Sequence, residues 1–169
     1  ALLADGVSGV ALEVSSHGLD QERLVGTELA GAVWTNLTPE HLDYHGDLAA
    51  YGAAKARLLA WPGLGFAVVN QDDPAVDSFT AAVAPGAALW RFGEAAGDVR
   101  AQEVSCRRDG IRLVAATPSG PVAVTSRLVG RINVPTLLAA VAVGLALGLS
   151  PEAVGERLSA LPPVPGRME

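Results

Sequence analysis

Lys55 is the single lysine among 169 residues. Counted from Asp47 as a helix N-cap, the residues Leu48, Tyr51, Lys55, Leu58 and Leu59 recur at helical spacing, which aims the ammonium at the interior. A buried unpaired ammonium is costly; the alternative is a stem that covers apolar surface while its head reaches water. Upstream lie two segments rich in groups for metal and phosphate chemistry, Glu13-Val14-Ser15-Ser16-His17-Gly18 and Thr35-Asn36-Leu37-Thr38-Pro39-Glu40-His41-Leu42-Asp43-Tyr44-His45-Gly46. Each follows a strand-like apolar run, Val10 to Val14 and Ala30 to Thr35. Open α/β sheets bind ligands beyond the carboxyl ends of their strands, so both segments are expected at one crevice. His41 and His45, four apart, are only a weak zinc signal. His17 suits a role in orienting the turn by hydrogen bonds, and Asp72-Asp73-Pro74 suits the capping of a helix.

The elements that must position these groups alternate through the first half. Strands are expected near 10–14, 31–35 and 65–69, with helices at 47–60 and 74–83, an order that implies a parallel sheet. Between Ala87 and Arg127 the pattern changes to short alternating runs, Ala88–Phe92, Val99–Val104, Ile111–Ala115 and Val122–Ser126. Turn signals at Arg108-Asp109-Gly110 and Pro118-Ser119-Gly120 separate the later runs, which reads as a small antiparallel sheet. Helices return at 134–148, with Asn133 as N-cap, and at 151–160, with Ser150 as N-cap and Pro151 at the first helical position. The proline-rich stretch 161–169 reads as a linker. The fold class is therefore α/β, a mostly parallel sheet with flanking helices plus a small antiparallel sheet.

Composition narrows the partners. The length fits one domain with a sizeable core, and half the residues are apolar, which excludes a disordered chain. A formal charge of −6 leaves no basic stripe for duplex binding, so nucleic acid is not an expected partner. Cys106 stands alone, which precludes an internal disulfide and suits a cytoplasmic protein. The apolar stretch from Val134 to Leu149 falls short of the ~20 residues that a membrane helix needs.

In order and spacing, E-V-S-S-H-G, T-N-L-T-x-E-H-L-D-Y-H-G, the Y-x-x-A-K lysine, Val69-Asn70-Gln71-Asp72-Asp73-Pro74, Gly130-Arg131-Ile132-Asn133 and Leu161 to Glu169 resemble the central ATPase domain of the Mur ligases. Within that family, the pairing of E-V-S-S-H with H-L-D-Y-H-G is similar to the E-type branch, which adds the third amino acid of the peptidoglycan stem. The resemblance implies ATP as co-substrate, magnesium as cofactor, and a UDP-N-acetylmuramoyl-dipeptide and a diamino acid as substrates. It further implies an acyl phosphate intermediate, formed when the substrate carboxylate attacks the γ-phosphate and then displaced by an amine. Lys55 matches a lysine that is carbamylated in these ligases, and desolvation would favour its neutral precursor. Glu13, His41 and the Lys55 carbamate are the implied metal ligands, with His41 and Lys55 as the catalytic pair. Two unit charges ~4 Å apart interact by ~4 kcal/mol at an effective dielectric near 20, so an unmodified Lys55 should repel the metal. Ser15, Gln21 and Arg23 match positions that contact the UDP-muramoyl substrate, although Ser15 and Ser16 also suit helix capping and Arg23 a solvated charge. Asn133 matches an asparagine near the adenine.

No G-x-x-x-x-G-K-[ST] phosphate loop occurs here, since Lys55 follows Ala54. In Mur ligases that loop lies shortly before the segment that Ala1 opens, and a further domain follows the G-R-M-E tail. The expectation is a fragment: residues 1–160 as a partial central domain, incomplete at its N-terminus, with a small antiparallel subdomain at about 87–127, and 161–169 leading to an absent domain. A fragment without the loop is expected not to turn over. The alternatives are a non-catalytic module that binds muramoyl nucleotide or metal, and a related ligase such as a folylpolyglutamate synthase or the ligase half of a cyanophycin synthetase.

Overall fold

The computed structural model describes residues 9–162 together with Gly6. Six strands form one sheet in the order β1 (Gly31–Trp34), β2 (Phe66–Asn70), β3 (Ala88–Gly93), β4 (Val99–Arg107), β5 (Gly110–Ala116), β6 (Val122–Ser126). The first three are parallel, and β3 pairs in parallel with the start of β4 through Phe92–Val99 and Gly93–Arg100. The ladders β4–β5 and β5–β6 are antiparallel. The expected antiparallel strands thus extend the parallel sheet, and the run at Ala88–Phe92 belongs to its parallel part.

The segment Phe66-Ala67-Val68-Val69 explains why this sheet is covered on both sides. Period-2 alternation sends Phe66 and Val68 into one core with α5 (Val134–Ala146) and α6 (Pro151–Ala160), and Ala67 and Val69 into another with Trp34, Leu59, Val76 and Phe79. In the second core Trp34 stacks on Phe79 at 3.9 Å. The Ser150 hydroxyl accepts from the Ala153 amide and caps α6, as expected. In that helix's first turn, the Glu152 backbone amide, and then the Ser150 hydroxyl, hold the Glu152 carboxyl below its ordinary value.

Three sequence expectations are corrected. The run Val10–Val14 forms no strand: it finds no ladder among the described residues, and Val10 and Leu12 are 69% and 63% exposed. Alternating apolar residues become a strand only where a neighbour takes their backbone groups. The helix expected over 47–60 is α3, Leu48–Ala56, followed by turns, and Leu48 at its start faces outward. Asn133 ends a 3-10 turn, Arg131–Asn133, and makes no side-chain cap; its amide donates instead to the Val129 carbonyl at 2.8 Å. The tail 163–169 and its expected linker role lie outside the described residues.

Candidate functional site

The carboxyl ends of β1, β2 and β3 are tied by side chains into one rim. After β1, the Thr35 carbonyl accepts from Asn70 Nδ2 at 2.7 Å, and the Leu37 amide donates to Asp73 Oδ2 at 2.9 Å. The other oxygen of Asp73 accepts from the Ala75 amide at 2.8 Å, a turn just ahead of α4 (Val76–Ala81); the N-cap of that helix is Ala75 and takes no side-chain bond, so the expected cap by Asp72 or Asp73 is not made. Asp72 reaches across to β3 and accepts from the Glu94 amide at 2.6 Å. Glu94 in turn pairs with Arg131 at 2.7 Å, which brings the turn carrying Asn133 to the same rim. Aspartates that read as helix caps therefore tie strand ends together instead.

Lys55 stands at the β1 end of this rim. The Asp47 carboxylate accepts from the Ala50 amide at 2.8 Å and starts α3, which carries Lys55 in its last turn. Nζ donates to the Asn36 carbonyl at 3.1 Å and to the Tyr51 hydroxyl at 3.4 Å, and lies 5.1 Å from the Tyr51 ring centroid. The lysine is half-buried, not fully interior, with its head at the mouth of the β1 loop. The exit of that loop is α2 (Leu42–His45), preceded by His41 at φ +55°. A non-glycine residue in this left-handed region is uncommon, and such conformations cluster at ligand-binding sites.

His41 joins the two upstream segments. Its ring lies edge-on to His17 at 4.8 Å and 6.1 Å from Tyr51. His17, on α1 (Ser16–Asp20), also packs on Tyr44 at 4.2 Å and His45 at 5.4 Å, and the side-chain hydrogen bonds expected of it are absent among the described residues. His45 Nε2 and Ser16 Oγ are 2.9 Å apart, a structural bond as expected for this histidine. Ser15 caps α1 by accepting from the Gly18 amide at 3.1 Å. Arg23 donates to Gln21 Oε1 at 2.6 Å, Gln21 approaches the Tyr44 hydroxyl at 3.4 Å, and Tyr44 donates to Asp20 at 3.0 Å. Asp20 also pairs with Arg57 at 3.3 Å, and with Tyr44, His45 and Arg57 it lines a shallow cavity of about 530 Å³. Ser15, Gln21, Arg23, His41 and Lys55 thus share one neighbourhood. Glu13 stands exposed on the extended segment before α1, with no hydrogen bond or ion pair among the described residues.

Sequence reasoning missed Asn36, Asp20 and Arg57 as organising groups. Tyr51 was legible from its place one helical turn before Lys55; the Asp20–Arg57 pair, formed between α1 and the residue after α3, left no local signal. Among the described residues no three of His, Cys, Asp and Glu converge into an all-protein metal site.

Residues 1–144 match the Mur ligase middle domain. The chain is 42% identical over 165 residues to the UDP-N-acetylmuramoyl-L-alanyl-D-glutamate--2,6-diaminopimelate ligase of Chromobacterium violaceum, covering 97% of this chain and 34% of that protein. It is 44% identical over 168 residues to the ligase of the same name from Xanthomonas campestris pv. campestris strain 8004, covering 96% of this chain and 34% of that one. A solved structure of a UDP-N-acetylmuramoyl-L-alanyl-D-glutamate--2,6-diaminopimelate ligase superposes with a TM-score of 0.90 at 33% identity, over 98% of this chain and 35% of that chain. MurF from Acinetobacter baumannii superposes at 0.73 with 30% identity, over 83% of this chain and 31% of that chain. The chain spans about a third of the length of the curated relatives it matches.

Proposed function

The chain belongs to the Mur ligase family, and on that premise we propose that it supplies most of the central domain of a cytoplasmic ATP-dependent ligase that joins 2,6-diaminopimelate to UDP-N-acetylmuramoyl-L-alanyl-D-glutamate. The observation that carries this reading is the continuous rim beyond β1, β2 and β3, where the Lys55 loop and the Asn133 turn are linked through Asn70, Asp73, Asp72 and Glu94. A nucleotide lying along that rim would have its base near Asn133 and its phosphates toward Lys55 and His41. Matches to ligases along 96–97% of the chain favour this over a stand-alone binding module or a cyanophycin-synthetase-like enzyme.

In the intact ligase, Arg23, held by Gln21, presents positive charge to the anionic muramoyl nucleotide, and Ser15 sits beside it at the start of α1. The dipeptide's carboxylate attacks the γ-phosphate of ATP, the bond to the β,γ-bridging oxygen breaks and ADP leaves, and the amine of diaminopimelate then displaces phosphate from the acyl phosphate. Positioning and electrostatics do most of such a phosphoryl transfer. Glu13, His41 and a carbamate on Lys55 would hold magnesium, which when bound neutralises charge developing on the phosphates. Lys55 as a cation opposes that task, and as a carbamate it serves it.

The test is ADP formation by the full-length protein that carries this chain, with UDP-N-acetylmuramoyl-L-alanyl-D-glutamate and either diaminopimelate or L-lysine. Turnover with diaminopimelate is expected. Turnover with L-lysine alone overturns the amino-acid assignment, and no turnover with either overturns the ligase reading.

A further inference from the structure

Tyr51 is 4% exposed, and the partner of its hydroxyl among the described residues is Lys55 Nζ at 3.4 Å. An ammonium has three donors and no acceptor, so the phenol oxygen accepts from Lys55 while its own proton finds no acceptor there. A buried donor left unpaired is destabilising. The ring cannot readily turn elsewhere, because it packs against His45 at 5.3 Å and His41 at 6.1 Å. In the lysine form the phenol oxygen is thus used as an acceptor, and its O–H has no acceptor among the described residues.

We propose that Tyr51 is a positioning residue that selects the carbamate form of Lys55, its phenol O–H donating to a carbamate oxygen. This rests on the reading of Lys55 as a carbamate. In the step itself the ammonium first gives one proton to water, the Nζ lone pair so freed forms an N–C bond to dissolved carbon dioxide, one C=O electron pair moves onto oxygen, and a second N–H proton leaves to water; nothing is oxidised or reduced. The remaining N–H keeps its bond to the Asn36 carbonyl, now 3.1 Å away, and the new oxygens supply the acceptor that the phenol lacks. Asn36 and Tyr51 together orient the group, one by accepting and one by donating.

The experiment follows the carbamate ¹³C resonance of the full-length protein in ¹³C-bicarbonate, with Lys55→Gln as the blank. Tyr51→Phe keeps the ring and removes only the hydroxyl, so its half-occupancy should need about tenfold more bicarbonate, the effect of one hydrogen bond to a charged group. Equal occupancy in Tyr51→Phe and the parent overturns the role of Tyr51 and leaves the carbamate reading standing. A blank parent spectrum overturns both. A second measurement needs no Tyr51 variant: with tyrosine labelled at ¹³Cζ, the Tyr51 signal should move on adding bicarbonate in the parent and stay fixed in Lys55→Gln. A Tyr51 signal that ignores bicarbonate overturns the phenol contact.

Discussion

Lys55 and His41 make different demands on their backbone, and the difference separates chemistry from folding. Lys55 stands in regular helix, where glutamine fits equally well, so Lys55→Gln removes the amine proposed to accept carbon dioxide while leaving α3 intact. In the full-length protein, on the proposed ligase reading, this substitution is expected to cut kcat by about a hundredfold or more, the scale seen when one electrostatic partner of a transition state is removed. Retention of activity within a few-fold, in a steady-state ADP assay, would remove Lys55 from the mechanism. His41 sits at φ +55°, where asparagine is tolerated and a β-branched residue is strained. His41→Asn should therefore leave the urea midpoint nearly unchanged while activity falls, whereas His41→Val should also lose about 1–2 kcal/mol of stability. Equal stability losses in the two variants would mean that the backbone conformation is not what residue 41 contributes. The position of Lys55 on α3 was legible from helical spacing, whereas His41 was singled out by family resemblance. The left-handed backbone of His41 was not legible, because a non-glycine residue carries no local signal for a positive φ.

Among the elements, α6 shows how tightly helix and sheet can be fitted. Gly155 lies in the middle of this helix, and a Cβ there would come within 2.6 Å of the Ala123 carbonyl on β6. Helix propensity alone favours Gly→Ala by about 1 kcal/mol. The clash is with backbone in a hydrogen-bonded strand, which cannot yield as a side chain would, so overpacking wins and Gly155→Ala is expected to destabilise by about 1–3 kcal/mol. Thermal unfolding checks the sign, and a raised melting temperature would show that α6 can lift off β6 without loss. Elements with their own start signals were readable from the chain: Asp47 before α3 and Ser150 before α6 both cap as expected. Asn133 looked like the same signal, yet its side chain serves Val129 because a 3-10 turn already leads into α5. The run Val10–Val14 failed as a strand for a related reason. Its pattern is local, whereas a ladder depends on what lies alongside.

For the whole molecule, the rim makes distant parts of the chain answer to one another. Asp73 ties the loop after β1 to the entry of α4, and both of its bonds are to backbone amides. Asp73→Ala strands two amides, at about 1–3 kcal/mol for each that water cannot reach. Unfolding in urea measures that loss, and a change below about 0.5 kcal/mol would mean that water replaces both bonds. The same substitution should loosen Asn36, the acceptor for Lys55, so catalysis should fall beyond what stability explains. The last prediction concerns residues 1–169 expressed alone. They contain the rim, Lys55, His41 and Asn133, but no G-x-x-x-x-G-K-[ST] sequence. In phosphate-loop enzymes those backbone amides and that lysine cradle the nucleotide's phosphates, and no other lysine here can stand in, since Lys55 is committed to Asn36 and Tyr51. The isolated chain should therefore form no tripeptide product from ATP, muramoyl dipeptide and diaminopimelate, whereas the full-length protein is expected to. Product formed by residues 1–169 alone would mean that phosphate binding in this protein needs no such loop, and that the rim by itself is enough to hold ATP for attack.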